Sequence, residues 1–407
     1  MTKFSTSVNI ERDCGKSFNY TTTANARQAV CKIVDSFISG IHSFCLIGSY
    51  GTGKSSFLLA LEQCLNGEST GNKLIKNNGQ FNGFTKFHFL NIVGDYQSLS
   101  DLLQAKIRPE KNNGRDIFTT LDSLYEDCQR ENKFLVIVID EFGKVLEHAA
   151  KNSPEKEMYF VQKFCEYVND TDKDILLLTI LHQSFNAYAT DLKIEQRQEW
   201  NKVKGRIKDI VFKEPIEQLL NIAAGKISEK RGGVSNKSIS ELYDLAIKSK
   251  FTNGNLKPDV VSALYPMDIF AAYVLTIANQ RYGQNERTLF SFLEDRGDKS
   301  IANFPASENR LYNLAEVYDC IQYNFYSSLA EVNADSAKWS AIKIAIERAE
   351  GAPWEDHDIA MATSLIKVIG LLNIFATSAT IVNDDFLIRY ARLSMGVNDI
   401  SPLIERL

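Results

Sequence analysis

Ser43-Phe44-Cys45-Leu46-Ile47, then Gly48-Ser49-Tyr50-Gly51-Thr52-Gly53-Lys54-Ser55, then Ser56-Phe57-Leu58-Leu59-Ala60-Leu61: a short apolar run breaks into glycines and restarts as a helix. The middle eight residues match the pattern G-x-x-x-x-G-K-[ST] without a misfit. Glycines let a backbone fold tightly around phosphates with its N–H groups turned inward, and the helix that follows presents its positive end to the same anion. Gly48, Ser49, Tyr50, Gly51, Thr52, Gly53, Lys54, Ser55 and Ser56 are therefore the expected nucleotide cradle. Lys54 is placed to reach the terminal phosphates, and the Ser55 hydroxyl to take one position on Mg²⁺. A chance glycine-rich turn would need neither the strand before it nor the helix after it.

Working outward, apolar runs and helical periods alternate. A helix is expected over residues 24–39, ending at Gly40. Strands are expected over 43–47, 86–93, 134–139, 175–181 and 207–212, with helices at 99–107, 116–130 and 155–168 between them. The runs at 134–139 (FLVIVI) and 175–181 (ILLLTIL) are continuous and rich in branched residues, as in central parallel strands covered on both faces. Strands alternating with helices imply an α/β fold, a P-loop NTPase doubly wound parallel sheet with ligands at the carboxyl ends of its strands.

After Gly232-Gly233 the strand signals stop. The expected organisation is an N-terminal arm (1–23), a nucleotide-binding domain (24–230), a helical lid (231–300) and an all-helical C-terminal module (301–407). The last fifty residues read as a helix (359–375), a short helix (384–393), a Gly/Asn turn and a helix over 400–407. That order fits either the helical part of a winged-helix module or plain helical packing. A wing hairpin would have to lie beyond Leu407, in which case the chain is one module of something longer.

The strand 134–139 is followed at once by Asp140-Glu141. A carboxylate at the carboxyl end of a buried strand beside a phosphate loop can hold Mg²⁺, which makes Ser55 and Asp140 the expected metal pair. The adjacent Glu141 can polarise the water that attacks the γ-phosphate, and so turns nucleotide binding into hydrolysis. The fourth strand ends in His182-Gln183; His182 either orients that water or merely caps the strand. Arg206, before the fifth strand, can reach a neighbouring subunit's γ-phosphate or sit idle on the surface, and Arg197 precedes it. Arg287 either folds back from the lid onto the phosphates or pairs with Glu286 or Glu294.

Composition narrows the class. The 407 residues are 44% hydrophobic and 24% charged, ordinary for globular protein, and the net charge of −5 is not that of a polycation. Seven scattered cysteines with no C-x-x-C pair, and no apolar leader at the N-terminus, fit a reducing cytoplasm. The longest apolar tract, 365–382, is interrupted by Lys367 and Asn373 and reads as a buried helix with no membrane contact.

These stations together resemble the AAA+ ATPases, most closely the origin-recognition-like and STAND-like branches, over residues 24 to about 293. The resemblance implies ATP and Mg²⁺ as cofactors, with Asp140 and Glu141 in metal binding and water activation. It also implies His182 as first sensor, Arg206 as arginine finger in trans and Arg287 as second sensor. Histidine is an unusual first sensor. Segments including Asp140–Lys144 (DEFGK) and 283–287 (GQNER) are similar to the N-terminal ATPase module of large bacterial phage-defence ATPases.

Two functions follow from the resemblance. One is an ATP-driven enzyme that forms a homo-oligomer and acts on DNA; the other is a nucleotide-gated signalling switch whose output is a protein effector. Against DNA, the stretch 354–407 sets Lys367, Arg389, Arg392 and Arg406 against a larger number of acidic side chains. A GTPase is disfavoured because no N-K-x-D base-reading motif follows the Asp140 strand, and a small-molecule kinase because a separate lid and a further module are rarely needed there.

Overall fold

A computed structural model of the chain describes residues 8–16, 20–67, 74–75, 80–107, 116–190, 192–231, 237–282, 289–294, 301–307, 310–330 and 334–406. Arg287 and the stretch 283–287 lie outside the described residues. The chain divides into two compact units, Met1–Lys213 and Glu214–Leu407.

The first unit runs α1 (Ala24–Ile38), β1 (Ser43–Ile47), α2 (Lys54–Leu65), β2 (Phe87–Val93), α3 (Leu99–Ile107), α4 (Ile117–Arg130) and β3 (Phe134–Asp140). It continues α5 (Phe142–Lys151), α6 (Pro154–Val168), β4 (Ile175–Leu181), α7 (Ile194–Lys204) and β5 (Lys208–Val211). The five strands form one parallel sheet in the order β2-β3-β4-β1-β5. Every residue of β3 and β4 is buried, whereas β5, at an edge, buries only Ile210.

Side-chain alternation builds two cores, one on each face of the sheet. Leu135, Ile137 and Ile139 of β3 and Ile175, Leu177 and Leu181 of β4 face α3 to α7. Val136 and Val138, with Leu176, Leu178 and Ile180, face α1 and α2 instead. A strand in that position is covered on both faces, which is why FLVIVI and ILLLTIL lack a polar phase; the single hydroxyl, on Thr179, donates to the Phe44 carbonyl at 3.1 Å. The chain leaves β1, crosses to the far edge, returns through β3 to β4, and only then adds β5. The tip of β4 therefore stands between the tips of β1 and β3.

The second unit comprises α8 (Ile216–Arg231), α9 (Lys237–Lys248), α10 (Pro258–Ala263), α11 (Ile269–Tyr282), α12 (Leu289–Glu294), α13 (Leu314–Ala330), α14 (Ser336–Glu350), α15 (Asp356–Phe375), α16 (Asp384–Ser394) and α17 (Ser401–Ile404). It starts earlier than residue 230. Leu219, Leu220, Ala223, Ala224 and Ile227 of α8 share a core with Leu242, Phe270, Ile321, Leu371 and Tyr390, so α8 belongs to this unit by burial. The same continuous core runs through the stretches read from sequence as lid and C-terminal module. Among the described residues this unit holds no strand, only the isolated bridges Met267–Tyr312 and Arg310–Met395. The helix expected over 400–407 is the single turn α17. By length and composition α15 could cross a bilayer; its Leu365, Val368, Leu371, Leu372 and Phe375 are buried within the unit.

Candidate active site

The site is assembled at the carboxyl end of the sheet. The Gly48 N–H donates to the Leu181 carbonyl at 3.2 Å. A Cβ on Gly48 would stand 2.1 Å from the Phe212 carbonyl oxygen, so only glycine lets the loop leave β1 beside the end of β5. Gly51 and Gly53 take positive φ (72° and 84°), and Gly53 caps α2. The loop thus turns directly into a helix N-terminus whose first N–H groups have no partner within the helix.

Lys54 is only 4% exposed. Its Nζ donates to the carbonyls of Gly48 (2.5 Å) and Ser49 (2.8 Å) and stands 3.5 Å from His182 Nδ1. Burial pushes the ammonium down to about 8, against the opposing pull of the Asp140 and Glu141 charges. The Thr52 hydroxyl donates to the Ser49 carbonyl at 2.9 Å and closes the loop.

Ser55 and Asp140 meet. The Ser55 Oγ donates to Asp140 Oδ2 at 2.7 Å, and the Glu141 N–H donates to Oδ1 at 2.8 Å. Asp140 is 6% exposed, and burial raises its carboxyl above the usual range even though both hydrogen bonds favour the charge. This hydroxyl–carboxylate pair beside a buried ammonium is the donor set Mg²⁺ with phosphates would use, and the residues fit that group.

Glu141 sits in the left-handed region (φ 53°), an uncommon conformation for a glutamate. The end of β2 clasps it: the Gly94 N–H donates to the Asp140 carbonyl at 2.7 Å, and a Cβ on Gly94 would stand 2.5 Å from the Glu141 carbonyl oxygen. Burial opposes the Glu141 charge, but the hydrogen bond that His182 Nε2 donates to Oε1 (3.1 Å) and the nearby Lys144 and Lys54 charges outweigh it. The carboxyl is held below its usual range. His182 lies flat against Tyr50, ring centroids 3.4 Å apart and planes 15° from parallel.

Of the residues expected from sequence, the loop, Lys54, Ser55, Asp140, Glu141 and His182 come together. Arg206 does not join them. β5 runs parallel to β1 with Lys208 opposite Phe44, so Arg206 lies at the amino end of the sheet, away from the loop. There its guanidinium donates to Glu166 Oε1 (2.9 Å) and to the Lys202 carbonyl (2.8 Å). Arg197 is likewise spent on the carbonyls of Leu192 and Thr190. Sequence reasoning missed Gly94 and the stack of Tyr50 on His182. A glycine directly after the β2 strand was a usable signal for the first. It also missed Tyr188, whose hydroxyl fills the space a Cβ on Gly143 would need.

No protein-family model and no curated protein matches the chain. Among solved structures it is similar to the Aeropyrum pernix ORC2 protein in ADPNP–ADP complexes, at 14% identity over 94% of this chain and 88% of that one, with a TM-score of 0.41. Pyrobaculum aerophilum Cdc6p follows at 13% identity over 95% and 84%, TM-score 0.39. The Aeropyrum pernix ORC1 protein in complex with DNA matches at 12% over 94% and 93%, TM-score 0.34. Likenesses this distant lend no weight to a function, which rests on the chain's own geometry.

Proposed function

We propose that the chain is a Mg²⁺-dependent ATPase of the AAA+ type. The observation that carries this reading is the 2.7 Å pairing of Ser55 with Asp140 directly beside the buried Lys54, at the mouth of a glycine loop that opens a helix. Gly48 to Ser56 hold the phosphates, Lys54 neutralises the terminal ones, and Ser55 and Asp140 hold Mg²⁺. That ion, when bound, offsets charge on the phosphate oxygens. Glu141, ionised at neutral pH and one residue past the metal ligand, orients and polarises the attacking water.

Glu141→Gln is the direct test. The amide keeps the size of the side chain and can still meet His182, so ATP affinity in calorimetry should stay within about threefold of wild type. Turnover should fall about a hundredfold or more, the usual scale of a lost general base. Wild-type turnover in this variant would move the base elsewhere.

We further propose that ATP drives a cytoplasmic homo-oligomer to assemble on DNA, with Arg206 acting on a neighbouring subunit's nucleotide. The setting would be anti-phage defence. Support comes from the sequence resemblance and from the weak tether of Arg206, a half-exposed ion pair of the kind worth little in water. The second reading, a switch with a protein effector, is favoured by the acidic balance of residues 354–407 and by a third C-terminal helix of one turn, too short to lie along a groove. Solution mass decides between them. Assembly with ATP·Mg²⁺ that grows on duplex DNA and fades steeply with salt supports the first; a mass indifferent to DNA supports the second.

A further inference from the structure

We propose that His182 is a positioning residue that ties the state of the phosphate loop to the Glu141 carboxylate, with Tyr50 as the clamp on its ring. The proposal deepens the ATPase reading and rests on it. Strand order puts His182 where it can act: β4 lies between β1 and β3, so the residue after Leu181 falls between the loop and the Asp140-Glu141 corner.

The imidazole divides its two nitrogens between the two sides. Nδ1 faces the Lys54 ammonium at 3.5 Å, and Nε2 faces Glu141 Oε1 at 3.1 Å. An ammonium can only donate and a carboxylate can only accept. One form of the ring satisfies both: neutral, with its proton on Nε2 and a lone pair on Nδ1. Tyr50 is a residue of the loop itself, so its 3.4 Å stack fixes the ring plane to the loop's conformation.

Lys54 holds the other end. With its Nζ on the Gly48 and Ser49 carbonyls, the ammonium lies within the loop and beside His182. A phosphate is a stronger acceptor than a neutral carbonyl, so Lys54 leaves these partners when a nucleotide takes the loop. Nδ1 then loses the charge it faced, Tyr50 shifts with the loop, and Glu141 loses the donor that fixed it. In this arrangement the stack belongs to the nucleotide-free state, and nucleotide binding must break it.

The sign of one mutant effect follows. Tyr50→Leu removes the stack but keeps an apolar side chain, so ATP has less to disrupt and should bind about three- to tenfold tighter, the scale of a stacked aromatic pair. Tyr50→Phe keeps the stack and should show no such gain in affinity. A residue that merely shapes the loop would give the opposite sign, because damage to a phosphate loop weakens binding.

The experiment uses the full chain with ¹⁵N-labelled histidine, the His182 signal being assigned from its loss in His182→Gln. Without nucleotide the signal should show the tautomer protonated on Nε2. Adding ADPNP·Mg²⁺ should move both its nitrogen shifts, while calorimetry on the same samples reports binding. Nucleotide bound with an unmoved His182 signal overturns the coupling and leaves the ATPase reading standing. Tyr50→Leu that melts like wild type yet binds ATP equally or more weakly also overturns it. No binding at all overturns the ATPase reading and the coupling together.

Discussion

Lys54→Ala should weaken ATP binding by about a hundredfold and leave the melting temperature of the first unit nearly unchanged. The affinity loss follows from the charge: an ammonium on phosphate oxygens is worth about 3 kcal/mol, two decades in Kd. The small stability effect follows from burial. Lys54 is 4% exposed, and its ammonium is pushed down to about 8 because the folded chain partly strips it of water. Removing it deletes a cation whose burial is itself unfavourable, which offsets the donors lost by the Gly48 and Ser49 carbonyls. The same value sets a pH dependence. Binding needs the protonated amine, so wild-type affinity is full below about pH 8 and declines above it, by up to tenfold for each further step of one in pH. Lys54→Ala lacks that limb. Calorimetry across pH 6.5 to 9.5 on both proteins checks both claims, and undiminished ATP binding by Lys54→Ala would sink the loop assignment.

How much of this site was legible beforehand depended on whether a feature is local. The loop pattern, the long apolar runs of β3 and β4, and the carboxylates at the strand end are written within a few consecutive residues, and each appears where expected. Strand order is not written that way. Nothing in the periodicity of residues 175–181 says that β4 lies between β1 and β3, yet that placement brings His182 to Lys54 and Glu141 together. The stack of Tyr50 on His182 joins residues 132 positions apart and has no sequence signature. By contrast, the position of Arg206 could have been deduced: in an all-parallel sheet a residue just before a strand lies at the end opposite a loop just after one.

The missed helices have particular causes. α5 carries Phe142, Val145, Leu146 and Ala149 at helical spacing, but it follows Asp140-Glu141 without any loop. The acidic pair looks like the start of a turn, and the positive φ of Glu141 makes the bend in a single residue. α7 buries only Trp200 and Val203, too few apolar positions to show a period. The unit boundary moved for a different reason. The strand signals stop after Gly232-Gly233, but where a helix belongs is decided by which core takes its apolar face, and α8 gives Leu220, Ala223 and Ala224 to the second unit.

In that second unit the largest expected effect belongs to Asp268, which is wholly buried. Its Oδ1 accepts from the Ala271 N–H at 2.7 Å at the start of α11, and its Oδ2 accepts from the Tyr390 hydroxyl at 2.7 Å and from the Ser394 hydroxyl. The Tyr390 oxygen in turn accepts from the Leu314 N–H at 2.9 Å, so one carboxyl joins α11, α13 and α16. Asp268→Ala strands a backbone donor and two hydroxyls inside a core and should destabilise the unit by about 3 kcal/mol or more. Asp268→Asn should cost far less, because the hydroxyls can rotate to accept from the amide. The pair also separates charge from hydrogen bonding. Burial raises the Asp268 carboxyl from 3.8 to about 6, against the pull of its hydrogen-bond donors. A folded value above the unfolded one means the folded state holds the proton more tightly. The stabilisation it brings is full below about pH 4 and is lost as pH rises through about 6. The loss is at most roughly 3 kcal/mol, since each decade of proton affinity is worth about 1.4 kcal/mol. Asp268→Asn has no such proton. Urea unfolding of the full chain at pH 4.5, 6 and 7.5 should show wild type losing ground to Asp268→Asn as pH rises. Parallel profiles for the two would mean that Asp268 is ionised in the fold throughout, held by its donors in spite of its burial.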